Sequence, residues 1–150
     1  MEEARSYTTK QMSDACEMLV AAELTLAGGM PAIKMPDNWP DYDVMVQPAG
    51  SVPQRVSVKS RTFKRGPAYI GYEEGDSFDW LAIVIVPGHG EPQRRVFLMP
   101  RTLTDAVARQ DQSPNTCHLR YWRVDEVARV FAAFEDNFQL EPAGRTTAAA

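Results

Sequence analysis

The sequence predicts a mixed α/β domain, one central sheet with helices packed on it. Three stretches carry that expectation. Residues 79–86 (DWLAIVIV) form a continuous, β-branched apolar run bounded by Pro87 and Gly88, as expected of a central strand covered on both faces. Residues 40–61 (PDYDVMVQPAGSVPQRVSVKSR) contain two alternating segments, 42–47 and 55–60, separated by Pro48, Gly50 and Pro53. Residues 9–27 have helical composition and stop at Gly28 and Gly29.

A chain of 150 residues with 44% apolar and 24% charged content suits a single domain with a real core. The net charge of -4 argues against a generally basic nucleic-acid coat and leaves room for a local basic patch. Two cysteines, Cys16 and Cys117, supply neither a disulfide framework nor a zinc quartet. No charged segment followed by an apolar one opens the chain, and no apolar run approaches membrane-spanning length. A cytoplasmic protein without a membrane partner is therefore expected. The domain is expected over residues 9–138, with a flexible N-terminus at 1–8 and a disordered tail at 139–150.

Along the first helix, Met12, Ala15, Cys16, Leu19, Ala22 and Leu26 make an apolar stripe at helical spacing. Glu23 projects onto that stripe, where a charge needs a partner, and Glu17 lies at its boundary, where a carboxylate can face a neighbouring sheet. Periodicity does not choose between them. Residues 30–35 read as a short strand leading into the Pro36–Pro40 turn. Residues 69–72 read as a short extended segment, and 94–99 as a strand after the turn that contains His89. Residues 102–109 read as a short helix with Thr102 as N-cap. Residues 117–122, carrying His118, make a final strand, and 125–138 a helix packed through Val127, Val130, Phe131 and Phe134.

The candidate chemistry lies in the hairpin. Side chains alternate across a strand, so Asp43, Met45 and Gln47 share one face and Val44 and Val46 the other. In the second strand Val56 and Val58 point one way, Ser57 and Lys59 the other. A carboxylate and a lysine on neighbouring strands can then meet beside the core, which suits metal-assisted phosphodiester cleavage. The competing reading of Lys59 is an edge-strand lysine that blocks aggregation. Arg61, Lys64 and Arg65 follow immediately; they suit phosphate contact, and equally a solvated loop.

Taken together, these residues resemble the PD-(D/E)xK nuclease superfamily, the restriction-endonuclease-like fold, especially its small intron-endonuclease and Holliday-junction-resolvase members. In that family the first helix carries a glutamate ahead of a terminating glycine. Glu17 in CEMLVAAELTLAGG takes that place, and the spacing favours it over Glu23. The family's aspartate opens a strand after an aromatic residue or proline, matched by Asp43 in PDYDVMV. Its second strand reads apolar, acid or glutamine, apolar, lysine, matched by Val56-Ser57-Val58-Lys59. The resemblance spans roughly residues 9 to 138 and departs at Ser57, which replaces the second acid with a weaker cation ligand.

The resemblance implies a restriction-endonuclease-like central mixed sheet flanked by helices. It further implies a DNA endonuclease using Mg²⁺ or Mn²⁺, with Glu17, Asp43, Ser57 and Lys59 as catalytic residues. The cation would be held by Glu17, Asp43 and the Val58 carbonyl, with Lys59 orienting water. Arg61, Lys64 and Arg65 would contact DNA phosphates. Acids migrate between elements in this superfamily, which keeps Glu23 and Asp41 as substitutes for the missing ligand. Nucleases of this fold often dimerise to cut two strands, so a homodimer is compatible with the reading. The alternatives are a catalytically degenerate nuclease fold that binds nucleic acid or protein, and a plain α/β interaction domain. The geometric expectation is that Asp43 and Lys59 lie on adjacent strands and one sheet face, with the Glu17 carboxylate nearby.

Overall fold

A computed structural model describes residues 6–88 and 93–145. Helix α1 spans Thr9–Leu26 and opens with a capping box. The Gln11 backbone N–H donates to the Thr8 hydroxyl, and the Gln11 side chain accepts from the Thr8 backbone N–H. The helix ends where the Gly28 N–H donates to the Glu23 carbonyl and Gly29 takes a φ of 74°. At Gly28 a Cβ would collide with the Phe138 carbonyl, so glycine is needed there to let another segment approach.

The buried face of α1 is Met12, Cys16, Val20, Ala21 and Leu24. This corrects the expected stripe: Ala15 and Ala22 are exposed, and Leu26 is 82% exposed. Apolar residues occupy most of the helix circumference, so periodicity admits more than one stripe, and contact with the sheet selects this one.

Five strands form the main sheet in the order β1-β2-β3-β5-β6: β1 Ala32–Lys34, β2 Val44–Val46, β3 Gln54–Thr62, β5 Trp80–Val86 and β6 Arg95–Pro100. All neighbours are antiparallel except β3 and β5, so the sheet is mixed. The central strand β5 alternates between two cores. Trp80, Ala82 and Val84 pack under α1 with Val44, Val46 and Val56. Leu81, Ile83 and Ile85 pack into a second cluster on the opposite face. That face is covered by a separate ribbon of β4 (Tyr69–Glu73) and β7 (Leu119–Arg123), together with short helices. The sheet is therefore flanked by helices, with the ribbon added on one side. Among the described residues, no helix is long and apolar enough to cross a membrane.

Two helices differ from expectation. Helix α2 runs Arg101–Val107 and is not capped by Thr102; its N-cap is Pro100, the last residue of β6, without a side-chain cap. Asp105 instead accepts from the Tyr72 hydroxyl at 2.5 Å, tying the helix to the ribbon. The helix expected over 125–138 is broken into a 3₁₀ turn (Val124–Glu126), the single turn α3 (Val127–Val130) and another 3₁₀ turn (Ala132–Phe134). Continued winding would carry residues 135 and 136 away from the sheet. Instead Glu135 bridges to Phe97 and binds Arg95 at 2.7 and 2.8 Å, and the Asp136 N–H donates to the Val96 carbonyl, closing the exposed edge of β6.

The expected disorder from residue 139 is corrected too, because the described part of that segment is packed. Phe138 and Leu140 are buried in the α1-side core. Asn137, fully buried, donates to the Leu98 carbonyl (3.1 Å) and the Glu141 carbonyl (3.0 Å) and accepts from the Glu141 N–H (3.2 Å). The turn expected at His89, the first five residues and residues 146–150 lie outside the described residues.

Asn137→Ala should therefore destabilise the domain by about 3 kcal/mol in urea unfolding, because it strands buried backbone groups. A change within a few tenths of a kcal/mol would mean that the segment does not hold the core.

Candidate active site

The site begins where β2 runs out. Asp41 has a left-handed backbone, φ 73°, which turns the chain just before the strand. Asp43 joins the ladder through its backbone: its N–H donates to the Val56 carbonyl (2.9 Å), and its carbonyl accepts from the Met35 N–H (2.8 Å). Beyond this point β3 continues without β2 beside it. The Val58 N–H, which faces the vacated side, donates to Asp43 Oδ2 at 2.7 Å. A residue's N–H and C=O point to the same side of a strand, so the Val58 carbonyl faces this edge as well.

Helix α1 brings Glu17 to the same edge. Glu17 and Glu23 flank the buried stripe on opposite sides. Glu23 lines a cavity of about 590 Å³ with Asp136, Glu141 and Arg145, on the side of the 136–145 segment. Glu17 lies on the side of β1, its Oε1 4.0 Å from Lys34 Nζ. Burial, reinforced by the negative field of Asp43, pushes the Glu17 carboxyl up to about 7, while Lys34 pulls the other way.

Lys34 gives no motif signal, and sequence reasoning missed it. Its register is the available clue: Lys34 pairs with Val44, which places it on the α1 face of the sheet rather than in solvent.

Ser57 and Lys59 are arranged differently. The β2–β3 register, extended by one residue, sets Ser57 opposite Asp43 on the face away from α1, and Ser57 is 1% exposed. Lys59 has the same parity. It lines a cavity of about 660 Å³ with Arg61, Tyr69, Tyr72 and Arg120. Asp43, one residue before β2, and Lys59 on β3 thus have matching parity by register, and the Asp43 carboxylate turns into the sheet edge toward the Val58 N–H. Among the described residues, no ion pair joins Lys59 to either carboxylate.

Arg61 is exposed and donates to the Ser60 carbonyl. Lys64 and Arg65 are exposed, with the Arg65 guanidinium 5.2 Å from the Phe63 ring centroid. Asp41 is exposed and adds to the negative field around Arg55. His118 lies 4.0 Å from Glu73 on the ribbon, away from this edge. Among the described residues, no group of three or more His, Cys, Asp or Glu side chains could hold a metal.

A carboxyl raised in the folded state favours its protonated form, so its contribution to stability falls as pH rises from the unfolded value of 4.5 to about 7 and is level above that. The ¹³C resonance of the Glu17 carboxyl should titrate near 7. Asp43→Asn should lower that midpoint and leave it above the ordinary glutamate range, because burial is the larger cause. An unchanged midpoint would show that the two carboxylates do not share a field.

No family model matches the chain, and no curated protein matches it. Among solved structures, the fold is similar to that of a bacterial homing endonuclease, I-Ssp6803I, with a TM-score of 0.54 and 16% identity. The match covers 89% of this chain and 90% of that one. At this identity, what the two proteins share is the fold: a central mixed sheet flanked by helices.

Proposed function

We propose that the chain is a metal-dependent DNA endonuclease of the PD-(D/E)xK type. The observation that supports this most is the meeting of Glu17, Asp43 and the Val58 backbone at the free edge of β3. Their chemistry fits a hard divalent cation such as Mg²⁺ or Mn²⁺: two carboxylate groups and a carbonyl offer only oxygen, and the carboxylates are close enough to oppose each other's ionisation. Bound there, the cation would polarise a phosphoryl oxygen and lower the pKa of a water.

The remaining work falls to the protein's own groups. Asp43 is anchored by the Val58 N–H, so one of its oxygens stays oriented and the other is free to bind. Ser57 contributes a hydroxyl in place of a carboxylate. Lys59 provides a positive charge for developing phosphate charge, or a donor that orients the attacking water. Arg61, Lys64 and Arg65 supply phosphate contacts on the exposed surface downstream.

A second reading has its own support: a nuclease fold that binds nucleic acid or protein without cutting. Among the described residues no group of three or more acidic, histidine or cysteine side chains could hold a metal, Ser57 is almost wholly buried, and Lys59 opens into a separate cavity. Cleavage decides between the two readings. With Mg²⁺ or Mn²⁺, purified protein should cut at least one of single-stranded, duplex or branched DNA, and Lys59→Ala should abolish cutting with no loss of thermal stability. DNA that stays intact with either cation would leave the binding module. Ser57→Glu should tighten cation binding by adding a carboxylate.

Replacing Arg61, Lys64 and Arg65 together with alanine should weaken DNA binding and reduce the slope of log affinity against log salt by up to about three. An unchanged slope would assign these residues to ordinary surface duty.

A further inference from the structure

Lys34 belongs to a chain of alternating charges that leads outward from the site. Its ammonium lies 4.0 Å from Glu17 Oε1 on the inner side and 3.6 Å from Asp37 Oδ1 on the outer side. The same Asp37 oxygen lies 3.6 Å from Lys10 Nζ, and Lys10 pairs with Asp14 at 3.1 Å. Exposure rises along the path: the Glu17 side chain is 15% exposed, that of Lys34 23% and that of Asp37 62%. Lys34 also donates to the Met35 carbonyl at 3.4 Å, which holds its head between the two acids.

A divalent cation at Glu17 and an ammonium at Glu17 compete for the same oxygens and repel each other. A lysine has four rotatable carbons and a compact charge, so it can swing between neighbouring acceptors without backbone movement. We propose that Lys34 is the resident counter-cation of the Glu17–Asp43 pair, and that it gives up Glu17 and is held by Asp37 alone when a divalent cation takes the inner position. This rests on the cation-binding part of the reading above. It assigns Lys34 as a positioning residue that sets how tightly the site holds its cation, and Asp37 as its partner.

The test is Mn²⁺ affinity, measured by calorimetry or by the electron paramagnetic resonance of free Mn²⁺, at one fixed alkaline pH. It compares the unmodified chain, Lys34→Met, Asp37→Asn and the double variant, each checked by thermal unfolding. Lys34→Met should bind Mn²⁺ about tenfold more tightly, since a like charge within a few ångströms is gone. Asp37→Asn should weaken binding several-fold when Lys34 is present and have little effect when it is absent; that non-additivity is the signature of the handover. Equal or weaker binding by Lys34→Met, or additive effects, would overturn the inference and leave the nuclease reading intact. Binding by Lys34→Met alone, with none by the unmodified chain, would support Lys34 as the occupant and defeat the metal-dependent reading. Binding by neither would defeat both. If Lys34→Met does not fold, Asp37→Asn at its exposed position still decides: unchanged Mn²⁺ affinity would overturn the handover.

Discussion

The Asp43–Val58 hydrogen bond is the contact on which the site depends. A sheet strand that outlasts its neighbour leaves backbone donors and acceptors without partners. Here a carboxylate replaces the missing strand at the first such position. A bond of this charge-assisted kind contributes roughly 1.5–3 kcal/mol, so Asp43 contributes to the stability of the sheet edge that it lines. Its orientation follows from the ladder: the backbone is fixed by Val56 and Met35 on either side, and only the side chain is left to turn into the gap.

The neighbouring parallel pair fixes β3 on its other side. Arg55 and Asp79 lock β3 to the start of β5. The Arg55 N–H and Nε both donate to Asp79 Oδ2 (2.8 and 3.1 Å), Nη2 donates to Oδ1 (3.1 Å), and the Asp79 N–H donates back to the Arg55 carbonyl (2.9 Å). The arginine holds the Asp79 carboxyl below the usual aspartate range. A slip of one residue in either ladder would also exchange the faces of β3, sending Val56 to the ribbon side and Ser57 under α1.

Much of this was legible from the sequence, for identifiable reasons. The run at 80–86 is buried on both faces, which a continuous apolar stretch reports, and β2 alternates in burial, which local sequence carries as well. The stripe of α1 was read in the wrong rotation because Met18, Ala22 and Leu26 extend its apolar surface beyond what the sheet covers. The helix expected at 125–138 was over-read because Val127, Phe131 and Phe134 keep helical spacing even though the chain is drawn out to cover β6. Asp43 was singled out by its strand and Glu17 only through the resemblance, since periodicity leaves Glu17 and Glu23 open; the structure sets Glu17 near Asp43 and Glu23 on the other side of the stripe. Lys34 could not be singled out, because its role arises from the antiparallel pairing of β1 with β2, which no local pattern in the sequence reports.

The 135–145 segment has a bearing on how the molecule assembles. Phe138 and Leu140 complete the core beneath the helix that carries Glu17, and the Phe138 carbonyl fits against Gly28 at that helix's end. These contacts join stretches far apart along the chain, so their loop must close before either end gains from the packing. During synthesis, α1 leaves the ribosome with part of its apolar face unmatched and waits for nearly all of the described chain to follow. The core beneath the C-terminal end of α1, on the Glu23 side, is thus among the last features of the fold to form.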